Sequence, residues 1–281
     1  MRSSRHCWLL PVLLIACTCK KEEAPAPSAG SPPPAAAQAP APATGEASGG
    51  TAAPAPEKKA EPSAMGGPTV PVKGDASITG EVKLTGTPPE MQPLKRGVDP
   101  VCAKTQMNDE QVLAKAGKLE NVVVWISEGV PPQPAPADQA KLEQTACMYR
   151  PRVQAVQDGQ TIAIHNGDAT LHNVRAVRGT KTIFNKAQPP GSPPIAEPTS
   201  AGPAMQFKCD VHPWMKAYAV VVSNPFHAVT GPDGKFTISG LPPGKYTVTA
   251  WHELFGTKTS QIDVQGKATP ILFTFDAQDR G

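Results

Sequence analysis

Phe207-Lys208-Cys209-Asp210-Val211-His212-Pro213-Trp214-Met215 is the stretch on which the reading of this chain turns. It spaces a thiol, an imidazole and a thioether three residues apart from one another. His172-Asn173, upstream, adds a second imidazole. Each residue alone has an ordinary explanation: a buried cysteine or half a disulfide, a loop histidine, a methionine packed in a core. Phe207 and Lys208 put Cys209 at a strand end, and one turn can return His212 to the same point. Pro213 stiffens that turn by fixing φ near roughly −65°. A thiolate, two imidazoles and a weak thioether together make the donor set of a mononuclear type-1 copper site. The expected metal ligands are therefore His172, Cys209, His212 and Met215.

Other chemistries fit less well. A closed zinc site uses Cys and His alone in tight pairs, and a thioether argues against it. A binuclear oxidase-type copper centre needs two Cys in the ligand loop, where this chain has one. A copper nitrite reductase needs a further His-based copper, for which there is no motif. G-x-S-x-G, P-loop and H-E-x-x-H patterns are absent from the sequence. The expectation is a protein that is not an enzyme. His165, on a strand, reads as a surface residue. His227 and His252 lack a neighbouring Cys or carboxylate pattern. Trp251-His252-Glu253 reads as structural, with an approach to the ligand loop as its alternative.

Met1-Arg2-Ser3-Ser4-Arg5 is a positive leader, and Trp8 to Ala16 is an apolar run broken by Pro11. It falls short of the roughly 20 residues of a membrane-spanning helix and reads as an export signal. Leu14-Ile15-Ala16-Cys17 resembles a bacterial lipobox, in which the Cys is acylated and becomes the new N-terminus. Cleavage as an ordinary signal is the alternative. Thr18, in place of Asp, implies the outer membrane in that family. The expected localisation is the cell envelope, with the chain lipid-anchored and facing the periplasm or the cell surface. Lys20 to Pro71 is dominated by Ala and Pro and has almost no aromatic or β-branched residues. Such a segment cannot bury enough apolar area to offset its ordering entropy, so it reads as a disordered, semi-extended tether. Losing Arg2 and Arg5 with the leader lowers the formal charge of +3 to +1. That balance excludes nucleic acid as an expected partner.

Six cysteines are present. Cys7 leaves with the leader, Cys17 is the expected lipidation site, and Cys19 falls in the tether. In an oxidising compartment, a Cys102–Cys147 disulfide would leave Cys209 for the metal. Two buried free thiols are the alternative, because spacing does not show that the pair comes within bridging range.

The remaining roughly 205 residues suffice for one large or two small β domains. β-Type runs recur at Ser77–Leu84, Asn121–Ile126, Arg152–Val156, Gln160–His165, Tyr218–Val222, Phe236–Ile238, Tyr246–Trp251 and Ile271–Phe275. Gly- and Pro-rich turns separate them, the pattern of β-sandwiches. Asp109–Ala116 and Asp138–Gln144 read as short helix-like stretches.

Two resemblances carry the fold further. Val156-Gln157-Asp158-Gly159-Gln160-Thr161-Ile162 and Asn166-Gly167-Asp168-Ala169-Thr170-Leu171-His172-Asn173-Val174 are similar to the first ligand strand and loop of cupredoxins. Cys-x-x-His-x-x-Met with a Pro-aromatic pair resembles the short ligand loop of amicyanin. Thr230-Gly231-Pro232-Asp233-Gly234-Lys235-Phe236 and Gly240-Leu241-Pro242-Pro243-Gly244-Lys245-Tyr246-Thr247-Val248 resemble the carboxypeptidase-regulatory-like domain, a small transthyretin-type sandwich. That family name implies an accessory module, not peptidase chemistry. The expected fold is all-β: a cupredoxin-like Greek-key sandwich plus a transthyretin-like β-sandwich, behind a signal peptide and tether. The expected boundaries are leader 1–16, tether 17–74, cupredoxin-like domain 75–223 and regulatory-like domain 224–281. Ile78-Thr79-Gly80-Glu81-Val82 resembles the opening strand of the regulatory-like family. An alternative therefore starts the second sandwich at 78 and inserts the cupredoxin-like segment within it.

The cupredoxin resemblance also implies that Asn173 ties the two ligand loops together. It implies that Pro213 and Trp214 help to keep water from the metal, and that electrons pass through the His212 imidazole edge. A single-electron carrier serving a cytochrome or a membrane-associated oxidoreductase is the expected function, with the membrane engaged only through the lipid. A copper-handling or sensing lipoprotein and a non-redox envelope adhesion module are the alternatives.

Overall fold

The computed structural model describes residues 71–281. The leader, most of the tether and the acylation expected at Cys17 lie outside the described residues. No helix among the described residues is long and apolar enough to cross a membrane.

The strands fall into three groups. β1 (Ala76–Thr85), β2 (Ala114–Lys115), β3 (Lys118–Leu119) and β4 (Val123–Glu128) come first. β5 (Ala140–Thr145), β6 (Met148–Arg150), β7 (Val153–Gln157), β8 (Thr161–Asn166), β9 (His172–Arg178), β10 (Lys181–Gln188), β11 (Ile195–Pro198), β12 (Met205–Lys208) and β13 (Lys216–Val222) follow. β14 (His227–Val229), β15 (Lys235–Leu241), β16 (Gly244–His252), β17 (Gly256–Val264) and β18 (Ala268–Asp276) close the chain. The fold is all-β.

The first and last groups build one sandwich together. Its sheets run β15-β1-β3-β2, with β18 also on β1, and β14-β4-β16-β17. The middle group builds the other, with sheets β10-β9-β12-β13-β7 and β11-β8-β5-β6. This corrects the contiguous division at 223/224: the sandwich that carries the Cys209 loop is inserted between β4 and β14 of the outer one. The physical reason lies in β1. Its alternation turns Ile78, Val82 and Leu84 to one face, in a core shared with Phe236, Ile238, Phe273 and Phe275. β1 pairs antiparallel with β15 over Ala76–Glu81 and parallel with β18 over Ser77–Thr85. A contiguous division would strip that row of its cover, at roughly 1.5–3 kcal/mol for each large side chain exposed. Gly80 permits the fit, since a Cβ there would lie 2.4 Å from the Phe236 ring.

The helix-like reading of Asp138–Gln144 is likewise replaced by a strand. In β5, Leu142 and Gln144 turn inward while Lys141 and Thr145 are exposed, and β5 lies parallel to β8. Asp109–Ala116 is irregular chain that ends in β2. A short polar run leaves helical and extended periods hard to tell apart, and the β8 edge decides it here.

Where the chain enters and leaves the insertion, its two crossings are tied together. The Gln133 N–H donates to the Ser223 carbonyl at 2.7 Å, and buried Asn224 donates to the Ile126 carbonyl at 3.0 Å. Val123, Val153, Val220 and Val222 form a shared apolar seam. Beside it, Trp251 packs on Tyr218 with ring centroids 5.6 Å apart. Glu253 pairs bidentately with Arg152, with Nη2–Oε2 at 2.8 Å and side chains 0% and 4% exposed. Trp251-His252-Glu253 therefore serves the junction between sandwiches and not the ligand loop.

Breaking a buried ion pair strands a charge. Glu253→Ala should destabilise the protein by about 3–5 kcal/mol, read from the urea midpoint, and Arg152→Met with Glu253→Leu should restore most of that loss. A Glu253→Ala midpoint equal to wild type would remove the pair from the account of the junction.

Candidate metal centre

Cys209 follows β12 directly, and β13 begins one residue after Met215. The loop between them is closed on itself. The Met215 N–H donates to the His212 carbonyl at 2.9 Å, and the Cys209 N–H reaches the Met215 carbonyl at 3.4 Å. His172 opens β9, which pairs with β12 so that Arg175 faces Lys208. That register carries the start of β9 past the end of β12 and sets His172 beside the Cys209 loop.

His172, Cys209 and His212 converge, their donor atoms all within 4.8 Å of one another. His172 Nδ1 and His212 Nδ1 are 2.9 Å apart, and His212 Nδ1 is 3.7 Å from Cys209 Sγ. All three are buried, at 0%, 2% and 1% exposure for His172, Cys209 and His212. Met215 is fully buried in the same core cluster as Cys209. Cys102 and Cys147 are joined in a disulfide with Cα atoms 5.5 Å apart, and Cys209 is the free cysteine among the described residues. Two further His/Cys/Asp clusters surround the first. Their sulfurs belong to the disulfide, so they offer no thiolate.

Asn173 bridges the two ligand loops. Its Oδ1 accepts the N–H of Asp210 at 2.6 Å and lies 3.5 Å from Cys209 Sγ. Tyr149 reinforces the link from below. Its hydroxyl shares a proton between the carbonyls of Asn173 at 3.0 Å and Lys208 at 3.2 Å. Burial, followed by the charges of Cys209 and Asp210, raises the Tyr149 pKa and keeps it a donor. Trp214 is half-buried, its ring centroid 5.1 Å from that of His212, and its Nε1–H donates to the Cys147 carbonyl at 3.0 Å. Pro213 is exposed, so it stiffens the loop without shielding it.

The His212 imidazole edge, expected to pass electrons, is buried. Its Nε2 lies 3.1 Å from Asp99 Oδ2 and 3.6 Å from Cys102 Sγ. The other imidazole is held in the same way, with His172 Nε2 2.9 Å from Asp168 Oδ2. Sequence reasoning missed both carboxylates. Asp168 left a local signal: its N–H donates to Asn166 Oδ1 at 3.0 Å in the turn just before His172. Asp99 left none, because it reaches His212 across 113 residues.

The electrostatics suit a cation. Burial opposes a Cys209 thiolate, but His172 and the backbone N–H groups of Asn173, His212 and Val211 pull its pKa below the ordinary thiol value. Burial also opposes charge on His172, yet Asp168 and Cys209 outweigh it and lift its pKa to about 9. Asp168 stays ionised: burial acts against it, and His172 and the Cys147 N–H more than offset that. Thr170 leads the groups that hold Asp99 down at about 2. The Cys209 sulfur and two carboxylates thus surround a single imidazolium. With both Nε2 atoms turned to carboxylates, His212 Nδ1 and, once its proton is lost, His172 Nδ1 are the ring atoms left to hold a metal beside the Cys209 sulfur. That donor set fits copper.

Residues 215–276 match the carboxypeptidase regulatory-like domain. That span takes in β13 of the inserted sandwich and the β14–β18 half of the outer one. Among solved structures, the chain is similar to a purple cupredoxin from Nitrosopumilus maritimus, at 21% identity and TM-score 0.27 over 30% of this chain and 100% of that one. It is similar to amicyanin from Paracoccus versutus, at 19% identity and TM-score 0.28 over 35% of this chain and 97% of that one. It is also similar to a copper-containing nitrite reductase from Thermus scotoductus SA-01, at 16% identity and TM-score 0.27 over 50% of this chain and 28% of that one. No curated protein matches the sequence.

A metal ion must displace the His172 proton to reach Nδ1. Below a pKa of about 9 that proton competes. Apparent copper affinity, measured by chelator competition, should therefore rise about tenfold per pH unit and level off above that pKa. A flat profile between pH 6 and 8 would contradict the protonated His172.

Proposed function

We propose that this chain is a type-1 copper protein that carries single electrons in a cell envelope. One observation carries the reading: the buried Cys209 sulfur and the Nδ1 atoms of His172 and His212 lie within reach of one ion, beside a buried Met215. Copper bound there would supply a one-electron Cu(II)/Cu(I) couple. Cys209 would be the strong ligand, His172 and His212 the two imidazoles, and Met215 the weak axial thioether that tunes the potential. Asn173 and Tyr149 hold the ligand loops in register whether or not a partner is present. Asp168 and Asp99 fix both imidazole tautomers, and the buried setting limits exchange with water. Such a held site needs little rearrangement between oxidation states. Burial of every donor also favours retention over handing the metal on.

A cytochrome or a membrane-associated oxidoreductase is the proposed class of partner. Leu171 and Val211, 45% and 47% exposed on the two ligand loops, offer an apolar contact. Acylation at Cys17 would hold the module to the outer membrane, facing the periplasm or the cell surface, with the Ala/Pro-rich segment as tether.

A visible spectrum of the copper-loaded protein tests the site. An intense thiolate-to-copper band is expected, with reversible reduction, and Cys209→Ala should lose the band entirely. A coloured Cys209→Ala protein would defeat the ligand assignment. Ready loss of the copper to a mild chelator would favour copper handling, and a wild-type protein that takes up no copper would favour an adhesion module. Anchoring has its own measurement: radiolabelled fatty acid should enter the wild-type chain in a bacterial host and not the Cys17→Ser variant. Equal labelling of both would dispose of the lipid anchor.

A further inference from the structure

The connection from β1 to β2 starts and ends in the outer sandwich, yet its middle lies over the inserted one. Cys102 staples it to Cys147. Arg96, 3% exposed, donates to the Thr105 carbonyl at 2.7 Å and to the Ala146 carbonyl next to the staple. Asp99 sits at the centre of this cap. Its Oδ1 accepts the N–H of Val101 at 2.7 Å and of Cys102 at 3.3 Å. Its Oδ2 accepts the Thr170 hydroxyl at 2.6 Å and faces His212 Nε2 at 3.1 Å. Three separate segments therefore meet on one carboxylate: the cap, the His172 loop and the Cys209 loop.

We propose that Asp99, delivered by the outer sandwich, is a positioning residue for the metal ligand His212 and biases a bound copper toward its oxidised state. The inference rests on the copper reading above. Its first half follows from valence. A carboxylate can only accept, so the His212 proton is held on Nε2 and the Nδ1 lone pair faces Cys209. Its second half follows from charge. Asp99 is 14% exposed and held by four polar contacts, so its negative charge is poorly screened and stays one imidazole away from the metal. Negative charge at that distance stabilises Cu(II) more than Cu(I). The inserted sandwich alone, strands β5 to β13, would lack this group. The two sandwiches thus form one metal site and not a carrier with an appended stalk.

Asp99→Asn in the full chain is the test. Asn keeps the size of Asp and can keep the Oδ1 acceptor for Val101 and Cys102. It replaces Oδ2 with an amide nitrogen that cannot accept from Nε2–H. The copper-loaded variant should keep its thiolate band. Its Cu(II)/Cu(I) equilibrium should shift toward Cu(I) by roughly tenfold, which is about 59 mV for a one-electron couple. Asp233→Asn, in an exposed turn of the outer sandwich, should leave the potential in place. A second measurement needs no variant. By NMR of the wild-type Cu(I) protein, the His212 Nε2 proton should exchange slowly with solvent, as a bonded and buried proton does. An unchanged potential in folded, copper-loaded Asp99→Asn overturns the proposal, and so does an Nε2 proton that exchanges as fast as an exposed imidazole's. Absence of the thiolate band in the wild type is a separate result: it overturns the copper reading and takes this inference with it.

Discussion

The parallel pairing of β1 with β18 is the constraint on which the rest of the molecule depends. It joins Ser77 through Thr85 to Ala268 through Asp276, the two ends of the described fold. Ile78, Val82 and Leu84 share one core with Phe273 and Phe275, which arrive beside them. With that pairing made, everything between β4 and β14 must leave the outer sandwich and return to it nearly at the same place. The inserted sandwich is therefore held at both of its ends. The Arg152–Glu253 pair and the valine seam can then form across the junction.

The same constraint places the cap. β1 ends at Thr85 and its sheet neighbours β2 and β3 lie at 114–119, so the intervening chain has to loop outward and come back. The inserted sandwich stands where that loop travels, and the Cys102–Cys147 bridge fastens the two together. The His172, Cys209 and His212 cluster and the outer-sandwich topology are linked through this one connection. His212 is buried because of a segment that precedes it by more than a hundred residues.

Much of this was legible in the sequence, and the reasons are local. The Cys209–Met215 loop could be read because its donors sit in one turn. Each of the β runs at Ser77, Asn121, Gln160, Tyr218 and Tyr246 shows alternation or a continuous β-branched stretch, and each is a strand. β10 and β17 were not read. β10 is an edge strand, exposed along most of its length, and β17 alternates half-buried with exposed polar residues, so neither shows an apolar row. The insertion was visible only as an alternative, because the partner of Ile78-Thr79-Gly80 lies at the far end of the chain. Asp99 could not be read at all. Its role is set by where the cap lands, and no spacing rule relates residue 99 to residue 212.

Nesting one sandwich inside another also sets an order of assembly. β5 to β13 all lie between residues 140 and 222, so the inner unit has every strand it needs once that segment has been made. β1 waits longer: its full-length partner is the last strand of the chain, and Thr85 meets Phe275 across 190 residues. Until then one edge of β1 lacks its partner, the kind of edge on which chains aggregate. A chain stopped before Ala268 would keep its ligand loop and lose the lock on its own beginning. The final nine-residue strand thus closes the sheet from which the cap sets out.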